Sequence, residues 1–361
     1  MKKEVYQIIE NISFESGGLR TMVSSLDNYI NETTDLKSSI FTLNKEKEDN
    51  YTSFKTDNPK SWCYSKEFNN FLKSDTRVNN LFHLHGVWMY PQYLASQIAK
   101  QKDIPCVITS HGMLEPYLLN DKKFKKSMYY KLFLKSILKE ADCLHAITPG
   151  EKDNLYKLSN NKNIVEIPNL IHYKSIPQNT EYYPQEEYIL YLGRFHKVKG
   201  IELLIAAFQK IKNKTIKLYL VGFKNDYSES LAALVKKNGL ENRVKFIGEI
   251  VGSEKYTLFS NAKVFVAPSY SEVIGMVNLE AAICKTPVIT TLNTGLNPDW
   301  GKNGGLIINP VIDELIIALN QATEWSFEER IQRGNELSNY VINNYSWEKK
   351  GYLWTELYDS L

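Results

Sequence analysis

The chain is short of several things, and each shortage excludes a class of protein. No stretch of its 361 residues approaches the ~18 uninterrupted apolar residues of a membrane-spanning helix, which argues against an integral membrane protein. Met1-Lys2-Lys3 could imitate a signal peptide, but Glu4, Gln7, Glu10 and Asn11 interrupt its apolar core. The four cysteines (Cys63, Cys106, Cys143, Cys284) stand far apart, with no pair at metal or redox spacing, as expected of a reduced cytoplasmic protein. Charge of one sign is also lacking: 44 Lys+Arg against 41 Asp+Glu leave +3, no field with which to hold nucleic acid. No two glycines stand two apart, so the G-x-G-x-x-G dinucleotide fingerprint is absent, and no Walker-type phosphate loop occurs. There is no internal repeat and no Asp-x-Asp metal motif; Asp299 and Asp313 stand alone. What remains is a soluble protein long enough for two domains.

Short apolar runs alternate with helical stretches along the whole chain. Strands are expected at Val5–Ile9, Ser39–Leu43, Leu81–His85, Cys106–Thr109, Cys143–Ile147 and Ile164–Ile167. A second series is expected at Tyr188–Leu192, Ile216–Val221, Val244–Ile247, Val264–Ala267 and Val288–Thr291. Ile201, Leu204, Ile205, Phe208 and Ile211 give the stretch 200–212 one apolar helical face. Strands apolar on both faces and separated by helices indicate parallel sheets covered on both sides, here twice over. The segment His172–Gln185, rich in Pro, Asn, Tyr and Glu, reads as the boundary, and Asn44–Lys60 as a long surface loop.

The chemistry concentrates after the strands of the second half. Pro268 to Ala282 runs from a strand into an apolar helix that must stop before Pro287 and so begins near Gly275. Unpaired N–H groups at such a start form an anion site. Glu272 precedes it and Glu280 follows, about 12 Å of helical rise apart. The pair either brackets a long ligand with a central phosphate or is a solvated loop glutamate plus an ordinary helix glutamate. Gly193-Arg194-Phe195-His196-Lys197-Val198-Lys199-Gly200 leaves another strand, where two fixed cations suit a diphosphate; a basic exposed turn is the alternative. In the first half Gly17-Gly18 lets backbone approach a ligand after the first strand. His83, His85 and His111 end two neighbouring strands, an arrangement that structural histidines also produce.

Taken together these motifs resemble the family-4 retaining glycosyltransferases, over nearly the whole chain. The carriers are Gly193-Arg194 with Lys199-Gly200, and the E-x7-E pair Glu272 and Glu280 followed by Pro287-Val288-Ile289. Gly17-Gly18, Ser110-His111-Gly112-Met113-Leu114, His145-Ala146-Ile147-Thr148 with Glu151, Ile167-Pro168-Asn169 and Tyr345-Ser346-Trp347-Glu348 match as well. The resemblance implies the GT-B fold: α/β, with two facing Rossmann-like doubly wound domains. These would be an acceptor-side domain over residues 1–177, a nucleotide-sugar donor domain over 178–340, and a terminal helix over 341–361 returning to the first.

By position, the resemblance implies a catalytic set of His111, Arg194, Lys199 and Glu272. Gly17, Gly18, Ile274, Gly275, Met276 and Val277 would join Arg194 and Lys199 around the donor diphosphate. Glu272 and Glu280 would hold donor sugar and ribose, Gly222, Phe223, Ile250 and Val251 the base, and His85 the acceptor side. The implied enzyme needs no cofactor and no metal, because arginine and lysine carry the charge work. Lys285 stands where the family has glycine, and Val273-Ile274 where it has Gly-Phe.

Residues Asp121–Lys139 hold seven lysines and one acidic residue among apolar residues at helical spacing. Such a helix either lies on an anionic bilayer or packs on its domain with its lysines in water. The first 177 residues carry 24 basic and 20 acidic groups, the remainder 20 and 21, so the excess falls on the acceptor side. The expected partners are a nucleotide-sugar donor, a glycan or lipid-linked acceptor in cell-surface polysaccharide synthesis, and the cytoplasmic face of the inner membrane, with no nucleic acid. A nucleotide-sugar epimerase and a non-catalytic nucleotide-sugar-binding partner stand as alternatives.

Overall fold

The computed structural model describes residues 3–13, 17–43, 51–75, 80–119, 123–177, 184–250 and 252–361. By contacts the chain forms two compact units. Met1–Asn169 with Gly351–Leu361 make the first, and Leu170–Lys350 the second. The contact-based divisions fall after Asn169 and after Lys350, where the sequence put boundaries after 177 and 340. Of the expected linker, residues 178–183 lie outside the described residues.

The first unit is built on strands β1 (Glu4–Ile9), β2 (Lys37–Thr42), β3 (Thr52–Ser53), β4 (Asn80–His85), β5 (Cys106–Thr109), β6 (Cys143–Ala146) and β7 (Ile164–Glu166). All described pairings are parallel, in the order β3-β2-β1-β4-β5-β6-β7. β1 is buried along its whole length, as a strand covered by helices on both faces must be. Tyr6 sits at its centre, its ring centroid 4.6 Å from Phe41 and 5.3 Å from Phe82. Aromatic contact of this kind adds to the roughly 1.5–3 kcal/mol that burying each such side chain contributes.

The second unit holds β8 (Tyr188–Leu192), β9 (Lys217–Val221), β10 (Val244–Ile247), β11 (Val264–Ala267), β12 (Val288–Thr291) and β13 (Leu306–Ile308). Their order is β10-β9-β8-β11-β12-β13, again parallel. The helix Ile201–Lys210 buries Ile201, Leu204, Ile205 and Phe208 against this sheet, the face its periodicity announced. In both sheets the order in which strands are added thus reverses between the unit's first and fourth strands, at β1/β4 and β8/β11, while all strands stay parallel. This is the doubly wound Rossmann order, whose ligands bind beyond the carboxyl ends at the point of reversal.

Two strands were not legible beforehand. β3 is a two-residue edge inside the expected surface loop, of which residues 44–50 lie outside the described part. β13 is only three residues long, below the length at which an apolar run reads as a strand. The basic segment expected as one helix over 121–139 is described from Lys123. It runs as helix Lys123–Tyr129, a π turn Tyr130–Leu134 and helix Lys135–Glu140.

The long helix Phe327–Tyr345 belongs to the second unit. Its buried Arg330 donates to the carbonyls of Ser260, Ala262 and Lys285. Lys285 has φ +56°, which explains why glycine is usual there, and a Cβ on Gly334 would stand 2.0 Å from the Lys285 carbonyl oxygen. Helix Tyr352–Asp359 belongs to the first unit, where Trp354 and Tyr358 are buried and the Lys3 ammonium donates to the Tyr358 carbonyl at 2.5 Å.

Candidate functional site

In the second unit the loops leaving β8 and β11 flank the point of strand reversal and are laced together. The N–H of Tyr270 donates to the Val198 carbonyl at 2.8 Å. Gly200 has φ +67°, and a Cβ there would stand 2.2 Å from the Pro268 carbonyl oxygen. Only glycine allows this approach, which seats Lys199 beside the second loop. The Lys199 ammonium pairs with the Glu272 carboxylate, whose other oxygen accepts from the Ser269 hydroxyl at 3.1 Å. Gly275 serves the same end: a Cβ there would meet the Glu272 carboxyl carbon at 2.7 Å.

The helix Met276–Ile283 starts at Gly275 without a side-chain cap. Its first N–H groups, at Gly275, Met276 and Val277, therefore face a site whose chemistry suits an anion. Ile274 does not fit the diphosphate role expected of it. Its N–H is already given to the Thr294 carbonyl at 2.8 Å and its side chain is buried, because a left-handed φ of +43° turns the loop into the helix. Arg194 is exposed and makes no ion pair among the described residues, which leaves its fork available to a ligand.

Glu280 lies on the helix, paired with Lys255 at 2.7 Å, and its second oxygen is buried without a hydrogen-bond partner. Lys255 was not singled out from the sequence; only the packing of helix Ser253–Asn261 beside this one reveals it. Gly222 follows β9, where a Cβ would stand 2.3 Å from the Gly193 carbonyl oxygen, and Phe223 beside it is 67% exposed. Ile250 is half-buried, and Val251 lies outside the described residues.

Gly17, Gly18, His85 and His111 belong to the first unit. Gly17 has φ +55° and precedes helix Gly18–Thr33, so glycine there meets a backbone need as well as a place beyond β1. His111 also adopts a left-handed φ, +50°. Its loop is held by the buried Glu151, which accepts from the Ser110 hydroxyl at 2.5 Å, the Gly112 N–H at 2.7 Å and the Ile147 N–H at 2.8 Å. His85 is not open to an acceptor: it is buried, with Nδ1 on His111 at 2.9 Å and Nε2 on Gln7 at 2.8 Å. Sequence reasoning missed Gln7, Thr109 and Tyr358, which complete this cluster from three different elements.

Burial lowers all four histidines of the first unit, His111 to about 3 and His145 to about 4. His83 and His85 fall well below their ordinary value, by burial first and by neighbouring rings second. A histidine depressed in the folded state stays neutral while the unfolded chain gains a proton below 6.5. Stability is therefore fully present above pH 6.5 and lost as the pH falls towards 4 and then 3. Urea midpoints measured across that window should decline on acidification, and His111→Asn should remove one proton from the slope.

Two doubly wound parallel sheets, with the candidate residues on loops at each reversal, define the class: a two-domain Rossmann-like protein of the GT-B fold. Two family models match in succession. "Glycosyltransferase Family 4" covers residues 46–174 and "Glycosyl transferases group 1" covers residues 173–337. The chain belongs to this family of glycosyltransferases. It is 31% identical over 166 residues to an uncharacterized glycosyltransferase of Methanocaldococcus jannaschii, covering 45% of this chain and 42% of that one. It is 30% identical over 207 residues to the O-antigen chain mannosyltransferase RfbU of Salmonella typhimurium, 56% of each. The match thus spans about half the length of these curated relatives. The structure is similar to that of Anabaena HepE solved with UDP and glucose, at TM-score 0.79 and 14% identity over 99% of this chain and 100% of that one, a likeness of fold.

Proposed function

We propose that this protein is a retaining, metal-independent glycosyltransferase that moves a sugar from a nucleotide-diphosphate donor to a glycan or lipid-linked acceptor in cell-surface polysaccharide synthesis. One observation carries the reading: the loop that bears Arg194 and Lys199 meets the loop before an uncapped helix start where the strand order of the second sheet reverses, with Glu272 paired to Lys199 and packed on Gly275. The bond from the sugar's anomeric carbon to the diphosphate breaks, the acceptor oxygen bonds to that carbon, and its proton leaves with the departing diphosphate. Negative charge grows on the diphosphate as it departs, and preplaced cations and N–H groups stabilise that growth more than the bound donor. A phosphate arriving at Lys199 competes with Glu272, which frees the carboxylate for a sugar hydroxyl. Glu280 at the far end of the helix suits ribose, and His111 the transferred sugar. The family match, the mannosyltransferase relative and the complex of a similar fold with UDP and glucose support this reading.

The test is thermal unfolding with UDP, GDP and their sugars in the presence of EDTA. Binding to the folded state raises the midpoint, by a stabilisation that grows as the logarithm of 1 plus ligand over Kd. One nucleotide series should stabilise the chain, chelator or not. A midpoint unmoved by both series overturns the donor site, and a shift abolished by EDTA overturns metal independence.

We further propose that the first unit works against an anionic bilayer at the cytoplasmic face. No helix among the described residues is long and apolar enough to cross a membrane. Phe124, Met128 and Leu132 recur every fourth residue and are 82%, 51% and 64% exposed, flanked by the exposed Lys125, Lys131 and Lys135. An outward apolar stripe beside lysines fits the lipid interface. The protein should co-sediment with anionic vesicles and not with neutral ones. Lys125→Glu with Lys131→Glu and Lys135→Glu should abolish this; undiminished binding counts against the surface.

A further inference from the structure

We propose that Tyr358 and Gln7 are positioning residues that fix the ring proton of His111 on Nε2, through a hydrogen-bonded chain that can run in only one direction. Its consequence for a sugar substrate rests on the glycosyltransferase reading; its geometry does not.

The chain begins at a group that can only accept. His145 Nε2 lies 2.8 Å from the carbonyl oxygen of Ile167, so this nitrogen carries the proton and Nδ1 does not. Thr109 lies 2.8 Å from that Nδ1 and must give it its single hydroxyl proton. The Thr109 oxygen can then only accept from His83 Nε2, at 2.7 Å. That leaves His83 Nδ1 as an acceptor, and the Tyr358 hydroxyl 2.7 Å away donates to it. With its proton spent, the Tyr358 oxygen accepts from the Gln7 amide nitrogen at 3.3 Å, which turns the Gln7 carbonyl oxygen towards His85. His85 Nε2, 2.8 Å from that oxygen, must donate; His85 Nδ1 then accepts from His111 Nε2 at 2.9 Å. His111 is left with Nδ1 as its acceptor nitrogen.

Every alternative assignment places two protons, or none, in one of these contacts, and Gln7, His83, His85, Thr109 and His145 are all buried beyond the reach of bulk water. The strand register supplies the spacing, because Gln7 stands opposite His83, His85 opposite Thr109, and Thr109 opposite His145. Tyr358 comes from outside the sheet, on the helix Tyr352–Asp359, and His111 from the loop that follows β5. Burial keeps all four rings neutral at ordinary pH, so each has a single ring proton to place. An acceptor nitrogen at His111 takes a hydrogen bond from a hydroxyl and refuses an unprotonated phosphate oxygen. The inferred ligand group is thus a hydroxyl, which on the glycosyltransferase reading belongs to a sugar.

The experiment is long-range proton–nitrogen correlation on the full chain labelled with nitrogen-15 histidine, which separates protonated from bare ring nitrogens. The chain has six histidines, few enough to assign by single replacement. In the native protein His83, His85, His111 and His145 should all carry the proton on Nε2. In Tyr358→Phe, His145 and His83 should keep that state, still anchored at Ile167, whereas His85 and His111 should become tautomer mixtures. A merely structural role for Tyr358 would not divide the four rings in this way. In Tyr358→Phe kcat/KM should fall roughly ten- to a hundredfold, the scale on which partners of a functional histidine act. If Tyr358→Phe does not fold, Thr109→Val carries the test, with His145 alone unchanged. A proton on His111 Nδ1 in the native protein, or unaltered His85 and His111 signals in the variants, overturns the proposal. Correct tautomers in a chain without transferase activity would leave the network standing and remove the transferase reading.

Discussion

Arg194→Ala should lower turnover by about a hundred- to a thousandfold with little change in melting temperature, the loss expected when one preplaced donor to a developing anion is removed. The structure separates these two quantities. Arg194 is exposed and has no ion-pair partner among the described residues, so its removal leaves no buried charge behind. Arg194→Lys should recover part of the rate, since it keeps the charge and loses the planar fork. Lys199→Ala should cost turnover on the same scale and stability besides. The Glu272 side chain is only 16% exposed in its pair with Lys199, and without that partner the carboxylate keeps one hydroxyl contact, from Ser269. Rates at saturating donor together with melting curves check both variants. Wild-type turnover in either one removes the diphosphate site proposed between the β8 and β11 loops.

Gly200→Ala is the second large effect, and it acts through the backbone. The new methyl would sit 2.2 Å from the Pro268 carbonyl oxygen at a φ of +67°, so two penalties combine. Left-handed backbone and overpacking against a main-chain atom together cost roughly 2–5 kcal/mol. That is a large share of the ~5–15 kcal/mol by which domains are stable. Parting the Val198–Tyr270 contact also moves Lys199 away from Glu272. The expected variant unfolds at clearly lower urea and binds nucleotide weakly even where folded. Gly239→Ala is the control: its φ is +64°, yet a Cβ there meets nothing within 4 Å. A midpoint for Gly200→Ala equal to that of Gly239→Ala would show that the close approach to Pro268 is not required.

Much of this was legible in the amino-acid order because it depends on local chemistry. A strand covered on both faces must be apolar throughout, so Tyr188–Leu192 and Val264–Ala267 show their limits directly. The helix start near Gly275 was legible because Pro287 closes the space behind it. Where the pattern was short, it failed. Thr52–Ser53 and Leu306–Ile308 form strands only because a neighbouring edge offers them partners.

By itself, then, the sequence determined two parallel α/β sheets and the loops in which cations, carboxylates and glycines gather, because each follows from spacing along one element, while its motifs taken together carried the resemblance to the family. The tertiary structure alone decided what those groups touch. It took Ile274 out of the anion cradle by giving its N–H to Thr294, and enclosed His85 between His111 and Gln7. It also brought Tyr358 to His83 across 275 positions of chain. No local pattern encodes such contacts, since a hydrogen bond reports distance in space, and only the register of strands and the packing of the last helix set that distance.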